Sequence, residues 1–197
     1  MTDKPSYLGL LNAISVAESQ AHAYLTAWAD VTKDAEIREL LLRVAAREGE
    51  HGMSFAKRIN ELGFHLQEGD DARLADQLAC VRSDRSDLEK FEYLALLRFD
   101  TGDEPDVFDG FFRDHSIDIQ TGELLGRYIA EERDTTRQLR CCYEQLRSAA
   151  ASGDDDRLAR LEAKVDAICA AVESLRGASE PAEARASNGK RHTPVRA

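Results

Sequence analysis

Arg43-Val44-Ala45-Ala46-Arg47-Glu48-Gly49-Glu50-His51 is the stretch on which the reading of this chain turns. Its apolar positions extend outward as Ile37, Leu41, Val44, Phe55 and Ile59, at the three- and four-residue steps of one helix face. Glu48 and His51 fall on that same face, between Val44 and Phe55. They form Glu-x-x-His, spaced i and i+3, so both side chains project from one side of a helix. An ionisable pair inside an apolar stripe demands an explanation, because an unpaired buried carboxylate costs several kcal/mol.

A second stretch matches the first without a gap. Arg127-Tyr128-Ile129-Ala130-Glu131-Glu132-Arg133-Asp134-Thr135 lies over it, with Leu40 and Leu41 on Leu124 and Leu125, Phe55 on Leu139, Ile59 on Tyr143 and Leu62 on Leu146. Part of the match reflects two amphipathic helices. The shared Arg, the Ala-x-Glu step and the acid before His51 or Thr135 go further and indicate a repeated helical hairpin. The periodicity predicts helices over residues 6–30, 34–62, 84–99 and 121–148, with connections at 63–75 and 100–109 and an aromatic patch at Phe108, Phe111 and Phe112. Strand signals are absent. Two antiparallel hairpins make a four-helix bundle, here assigned to residues 1–150, with a crossover over 99–122.

A break is expected at 152–156, then a fifth helix over 155–177. Its apolar residues Leu158, Leu161, Val165, Ile168, Val172 and Leu175 alternate steps of three and four, a heptad seam. This reads as a coiled-coil oligomerisation helix over 151–177. The valines at Val165 and Val172, with Leu161 and Leu175 in the alternate positions, favour a parallel dimer, with a trimer as the alternative. The tail at 178–197, rich in Ala, Ser and charge, reads as disordered.

Other acids share the misplacement of Glu48. Glu18 completes the apolar series Leu11, Ile14, Ala21, Leu25 and Trp28, Glu92 lies near the axis of Leu88, Ala95 and Phe99, and Glu132 takes the slot equivalent to Glu48. Four carboxylates at one depth repel one another, and a pair of dications removes the conflict. Carboxylate oxygen with imidazole nitrogen suits Fe, Mn or Zn. Glu89 and Glu131 are the rivals of Glu92 and Glu132. His22, one turn after Glu18, is a candidate outer ligand, and His115 precedes the fourth helix with nothing in its spacing to demand a role. Asp134 points away from the stripe. Tyr24 and Tyr128 read as core residues or hydrogen-bond partners of the site.

The pattern resembles the ferritin-like superfamily, specifically its rubrerythrin-type members. Residues 7–63 carry the resemblance most fully, with the Glu18 helix followed by Glu48-x-x-His51 and an end near Glu61-Leu62-Gly63; it weakens over 64–120, returns over 124–146 and does not cover the helix after Ser152. Di-iron bundles of this kind take a Glu from each of two helices and a Glu-x-x-His from each of the other two. The chain departs at Thr135, where the second His is sought, and it has no cysteine-rich rubredoxin module. The resemblance implies a di-iron centre that oxidises Fe(II) with dioxygen or peroxide, oxidoreductase chemistry of the ferroxidase or peroxidase kind. Glu48 and Glu132 would bridge, Glu18 and Glu92 would be terminal, and His51 would bind one metal.

Composition sets the surrounding limits. Net charge is -11 and charged residues make up 32%, which argues against a nucleic-acid surface. No run approaches the apolar length of a membrane span, and residues 1–7 lack an apolar signal core, so the expected location is the cytoplasm. Cys80, Cys141, Cys142 and Cys169 show no Cys-x-x-Cys spacing and read as reduced thiols. The competing reading is a metal-poor interaction bundle that assembles through the coiled coil. A third, an oxygenase acting on an organic molecule, requires an apolar pocket beside the metals.

Overall fold

The computed structural model describes residues 4–67, 72–97 and 107–178, with the backbone alone at 107, 109, 112, 154–160, 170, 171 and 173–178. These residues form six helices and, among them, no strand. The class is all-α. The chain divides into two compact units, Met1–Ser148 and Ala149–Ala197. No helix among the described residues is long and apolar enough to cross a membrane.

Helices α1 (Leu8–Ala29) and α2 (Ala35–Glu61) form the first hairpin. The Asp34 carboxylate starts α2 by accepting from the backbone N–H groups of Glu36 and Ile37 at 2.9 and 3.1 Å, which satisfies donors that have no partner inside the helix. Gly63, at φ 87°, ends it in the left-handed region. The two helices meet very closely where small residues permit it. A Cβ on Gly52 would lie 2.6 Å from Ser19 Oγ and 3.3 Å from the Ser15 carbonyl oxygen, and one on Gly49 would lie 3.0 Å from His22 Nδ1.

Helix α3 (Ala72–Arg82) occupies part of the stretch expected to be a connection. Its pattern, Leu74, Leu78 and Val81, is helical but short, and only Gln77, Cys80 and Val81 are buried. Helix α4 (Asp87–Leu94) is much shorter than the helix expected over 84–99. Ser86 and Glu89 cap its start reciprocally, and Ala95 stops it at φ 50°. Asp87 ties α4 to α1, accepting from Trp28 Nε1 at 2.6 Å and from Thr32 Oγ1 at 2.8 Å.

A 3-10 helix, Val107–Arg113, seats Phe108 in the core. The side chain of Phe112, the rest of the loop at 98–106 and the tail from 179 lie outside the described residues. Helix α5 spans Ile119–Ala178, so the break expected at 152–156 is absent. Gly153 brings no proline with it there, and a single glycine costs a helix only about 1 kcal/mol.

Two apolar clusters make the core of Met1–Ser148. One gathers Leu25, Trp28, Leu41, Val44, Phe91 and Leu139; the other gathers Leu11, Ile14, Phe55, Ile59, Leu125 and Tyr128. Full burial of each such side chain contributes about 1.5–3 kcal/mol. Along α1, α2 and α5 the acids Glu18, Glu48 and Glu132 fall between the members of the two clusters. Cys80 and Cys142 are buried free thiols, while Cys141 and Cys169 are exposed.

Candidate metal centre

Glu18, Glu48, His51 and Glu132 come together from three helices, with one ligand atom of each within 4.8 Å of all the others. All four are buried, at 4–6% exposure. His51 Nδ1 faces the three acids, 3.4 Å from Glu132 Oε1, 3.8 Å from Glu18 Oε2 and 3.9 Å from Glu48 Oε2. The Gly49 and Gly52 contacts bring α1 close enough for Glu18 to reach His51.

Three of these atoms, Glu18 Oε2, His51 Nδ1 and Glu132 Oε1, are buried without a hydrogen-bond partner. Buried polar atoms almost always have one, so three orphans aimed at one point mark a place that a cation fits. The donor set, carboxylate oxygen with one imidazole nitrogen, suits a first-row dication.

The electrostatics record the same strain. Burial, together with the neighbouring acids Glu18 and Glu132, pushes the Glu48 carboxyl up to about 11. Burial also raises Glu132, although His51 opposes it. For Glu18, burial acts upward, but His51, Glu48 and the Tyr128 hydroxyl bring the carboxyl below its ordinary value. Burial acts downward on His51, and the facing carboxylates of Glu132, Glu18 and Glu131 overcome it, holding the imidazole at about 10. Without a metal, therefore, protons hold the acids together.

The surroundings orient this set. His51 Nε2–H donates to Glu131 Oε2 at 2.7 Å, and Arg127 donates to Glu131 Oε1 at 3.0 Å. That fixes the ring with Nδ1 inward, the role carboxylate partners play behind metal-binding histidines. Glu131, weighed against Glu132 as a ligand, thus stands behind the imidazole. The Tyr128 hydroxyl donates to Glu18 Oε1 at 2.9 Å, and its ring packs edge-on against His51 and Phe55.

Glu92 does not join the cluster. Its side chain is exposed and accepts from the Tyr143 hydroxyl at 3.1 Å. It lies in the final turn of a helix that stops at Leu94. Glu89 is used in the cap of α4. Thr135 is buried at 4% exposure, and its hydroxyl accepts from Arg47 Nη1 at 3.0 Å. Arg47 also donates to Asp134 and to the Glu131 carbonyl. This guanidinium is the element that sequence reasoning missed; its place opposite Glu131 in the repeat was the available signal. His22 Nδ1 pairs with the Ala45 carbonyl at 2.7 Å, outside the cluster, and His115 is exposed.

A cavity of about 60 Å³ adjoins the acids. Glu18, Glu48 and Glu132 form its polar side, and Ala17, Ala21, Val44, Leu96, Thr135, Thr136 and Leu139 are among the rest of its lining. His51 is not among its lining residues.

No family model, curated protein or solved structure matches this chain.

Proposed function

We propose that this chain is a ferritin-like bundle of the rubrerythrin type that binds iron at Glu18, Glu48, His51 and Glu132 and oxidises Fe(II) with dioxygen or peroxide. The single observation that carries the reading is the convergence of three orphaned buried atoms, Glu18 Oε2, His51 Nδ1 and Glu132 Oε1, on one point. Iron, when bound, supplies one-electron redox chemistry toward such oxidants; Mn and Zn suit the same donors.

The protein's own residues supply geometry and exclusion. Glu131 holds the His51 ring with Nδ1 inward. Tyr128 fixes one oxygen of Glu18 and leaves the other directed at the site. The apolar clusters on either side keep bulk water away and strengthen every charge interaction inside. One metal position is complete in this set. The second position of a di-iron pair has only the shared acids Glu48 and Glu132, since Glu92 is turned away and Thr135 brings no imidazole.

Elemental analysis after Fe(II) loading tests the reading. The expected result is at least one iron per chain, lost in Glu48→Ala and His51→Ala. Wild-type iron content in both variants overturns the assignment. A ratio near two in the native chain shows that the second position fills without an imidazole.

A second reading rests on Leu161, Val165, Ile168 and Val172, exposed at 44–63% along one heptad seam. It makes the later part of α5 a homodimer coiled coil and the working part of the protein. Sedimentation of the full chain and of Ile168→Glu separates the two: a dimer that becomes monomeric, with no metal in either, favours it.

A further inference from the structure

A neutral imidazole binds a metal through one nitrogen while the other carries the proton, and the group that accepts that proton fixes which is which. Glu131 does this for His51. It accepts from Nε2 at 2.7 Å and is itself held by Arg127 at 3.0 Å. The repeat places Arg47 where Glu131 stands and Thr135 where His51 stands. Arg47 Nη1 donates to Thr135 Oγ1 at 3.0 Å, to Asp134 Oδ2 at 3.0 Å and to the Glu131 carbonyl at 3.1 Å. A guanidinium has five donors, no acceptor and a permanent charge. It can never take the proton that Glu131 takes.

We infer, on the metal-binding reading above, that this centre takes one dication rather than two, and that Arg47, standing in the place of a carboxylate, is the positioning residue that closes the second position. Donors are missing there. The orphaned atoms Glu18 Oε2, His51 Nδ1 and Glu132 Oε1 all belong to the single cluster around His51. On the Thr135 side a second dication would find only Glu48 and Glu132, both shared with the first. The Thr135 hydroxyl is turned to Arg47, and Glu92 is exposed and accepts from Tyr143.

Charge points the same way. Glu18, Glu48 and Glu132 carry three negative charges when ionised, and one dication with the Arg47 guanidinium balances them. Asp134, the other acid on Arg47, has a side chain 40% exposed and is answered by water. A second dication would leave two positive charges uncompensated in a buried site, which is costly. Burial pushes the Glu48 and Glu132 carboxyls up, and the charge of Arg47 opposes it at both, so the guanidinium acts on the two acids that a second metal would need.

Elemental analysis of the full-length chain after equilibrium dialysis against excess Co(II) tests this. Wild type should hold one Co(II). Thr135→His should also hold one, because the introduced ring would accept from Arg47 at one nitrogen and turn its proton, not a lone pair, toward the acids. The cavity of about 60 Å³ that Thr135 lines gives the ring room. Thr135→His with Arg47→Glu rebuilds the pairing of His51 with Glu131 and should hold two. Thr135→His with Arg47→Gln, whose amide oxygen accepts the ring proton without a charge, should do the same, while Thr135→His with Arg47→Lys should stay at one. Two Co(II) in the wild type or in Thr135→His alone overturns the inference, as does one in both acceptor-bearing pairs when they melt cooperatively. Should neither pair fold, the wild-type and Thr135→His counts decide it. No Co(II) in the wild type would instead overturn the metal-binding reading beneath it.

Discussion

On one side of the acid cluster, His51 meets Glu131; on the other, at equivalent positions of the repeat, Thr135 meets Arg47. The pairing geometry is retained and the chemistry is reversed. One side offers an inward imidazole held by a carboxylate. The other offers a hydroxyl occupied by a guanidinium, beside a cavity. A repeat can thus keep its packing positions while only one of its copies carries an imidazole among the acids. Packing tolerates any residue of suitable volume, whereas a metal ligand must have the right donor atom.

This asymmetry can be broken most sharply by substitution at the two equivalent positions. His51→Ala should weaken metal binding by about 100-fold or more, since losing even the partner behind a ligand costs 10–100-fold. Thr135→Ala should change it less than about threefold. Glu131→Gln should fall between them. Isothermal titration with Co(II) reads all three; equal losses at His51 and Thr135 would show the two sides to be equivalent after all.

The close approach of α1 to α2 is the next largest effect. Gly52→Ala places a Cβ against Ser19 and the Ser15 carbonyl, and overpacking of this kind costs about 1–3 kcal/mol. Denaturant unfolding should show that loss. Thr136→Ala, at the equivalent position facing the cavity, should cost under about 1 kcal/mol. A neutral Gly52→Ala would mean that the helices do not need this contact.

The last contrast is the slope of stability with pH in the metal-free chain. His51 is raised from 6.5 to about 10 and Glu48 from 4.5 to about 11. Between those limits the folded chain holds more protons than the unfolded one, so stability falls as pH rises. Both groups hold a proton that the unfolded chain has lost between about pH 7 and 9, and each full proton is worth about 1.4 kcal/mol per unit, so the fall should be up to about 3 kcal/mol per unit. Metal affinity should move the other way, since binding releases these protons. Thermal melts of the metal-free and Co(II)-loaded protein across that range read both. A metal-free melting temperature that rises with pH would contradict the proton-held cluster.

Sequence alone determined that α1, α2 and the first part of α5 are helices with one apolar face, and that Glu18, Glu48, His51 and Glu132 share that face. Both follow from local periodicity, because a helix fixes side-chain direction from spacing alone. It also exposed the repeat, and with it the oddity of Thr135. Tertiary structure decided the rest. Glu92 was placed by a helix that ends early, through the Ser86–Glu89 cap and the turn at Ala95. Glu131 and Glu132 were sorted into partner and cluster member by which of them reaches His51 from another helix. The cavity and the Arg47 contact depend on how near one helix lies to the next, a distance set by side-chain volumes far apart in the chain, and no periodicity within a single helix encodes it.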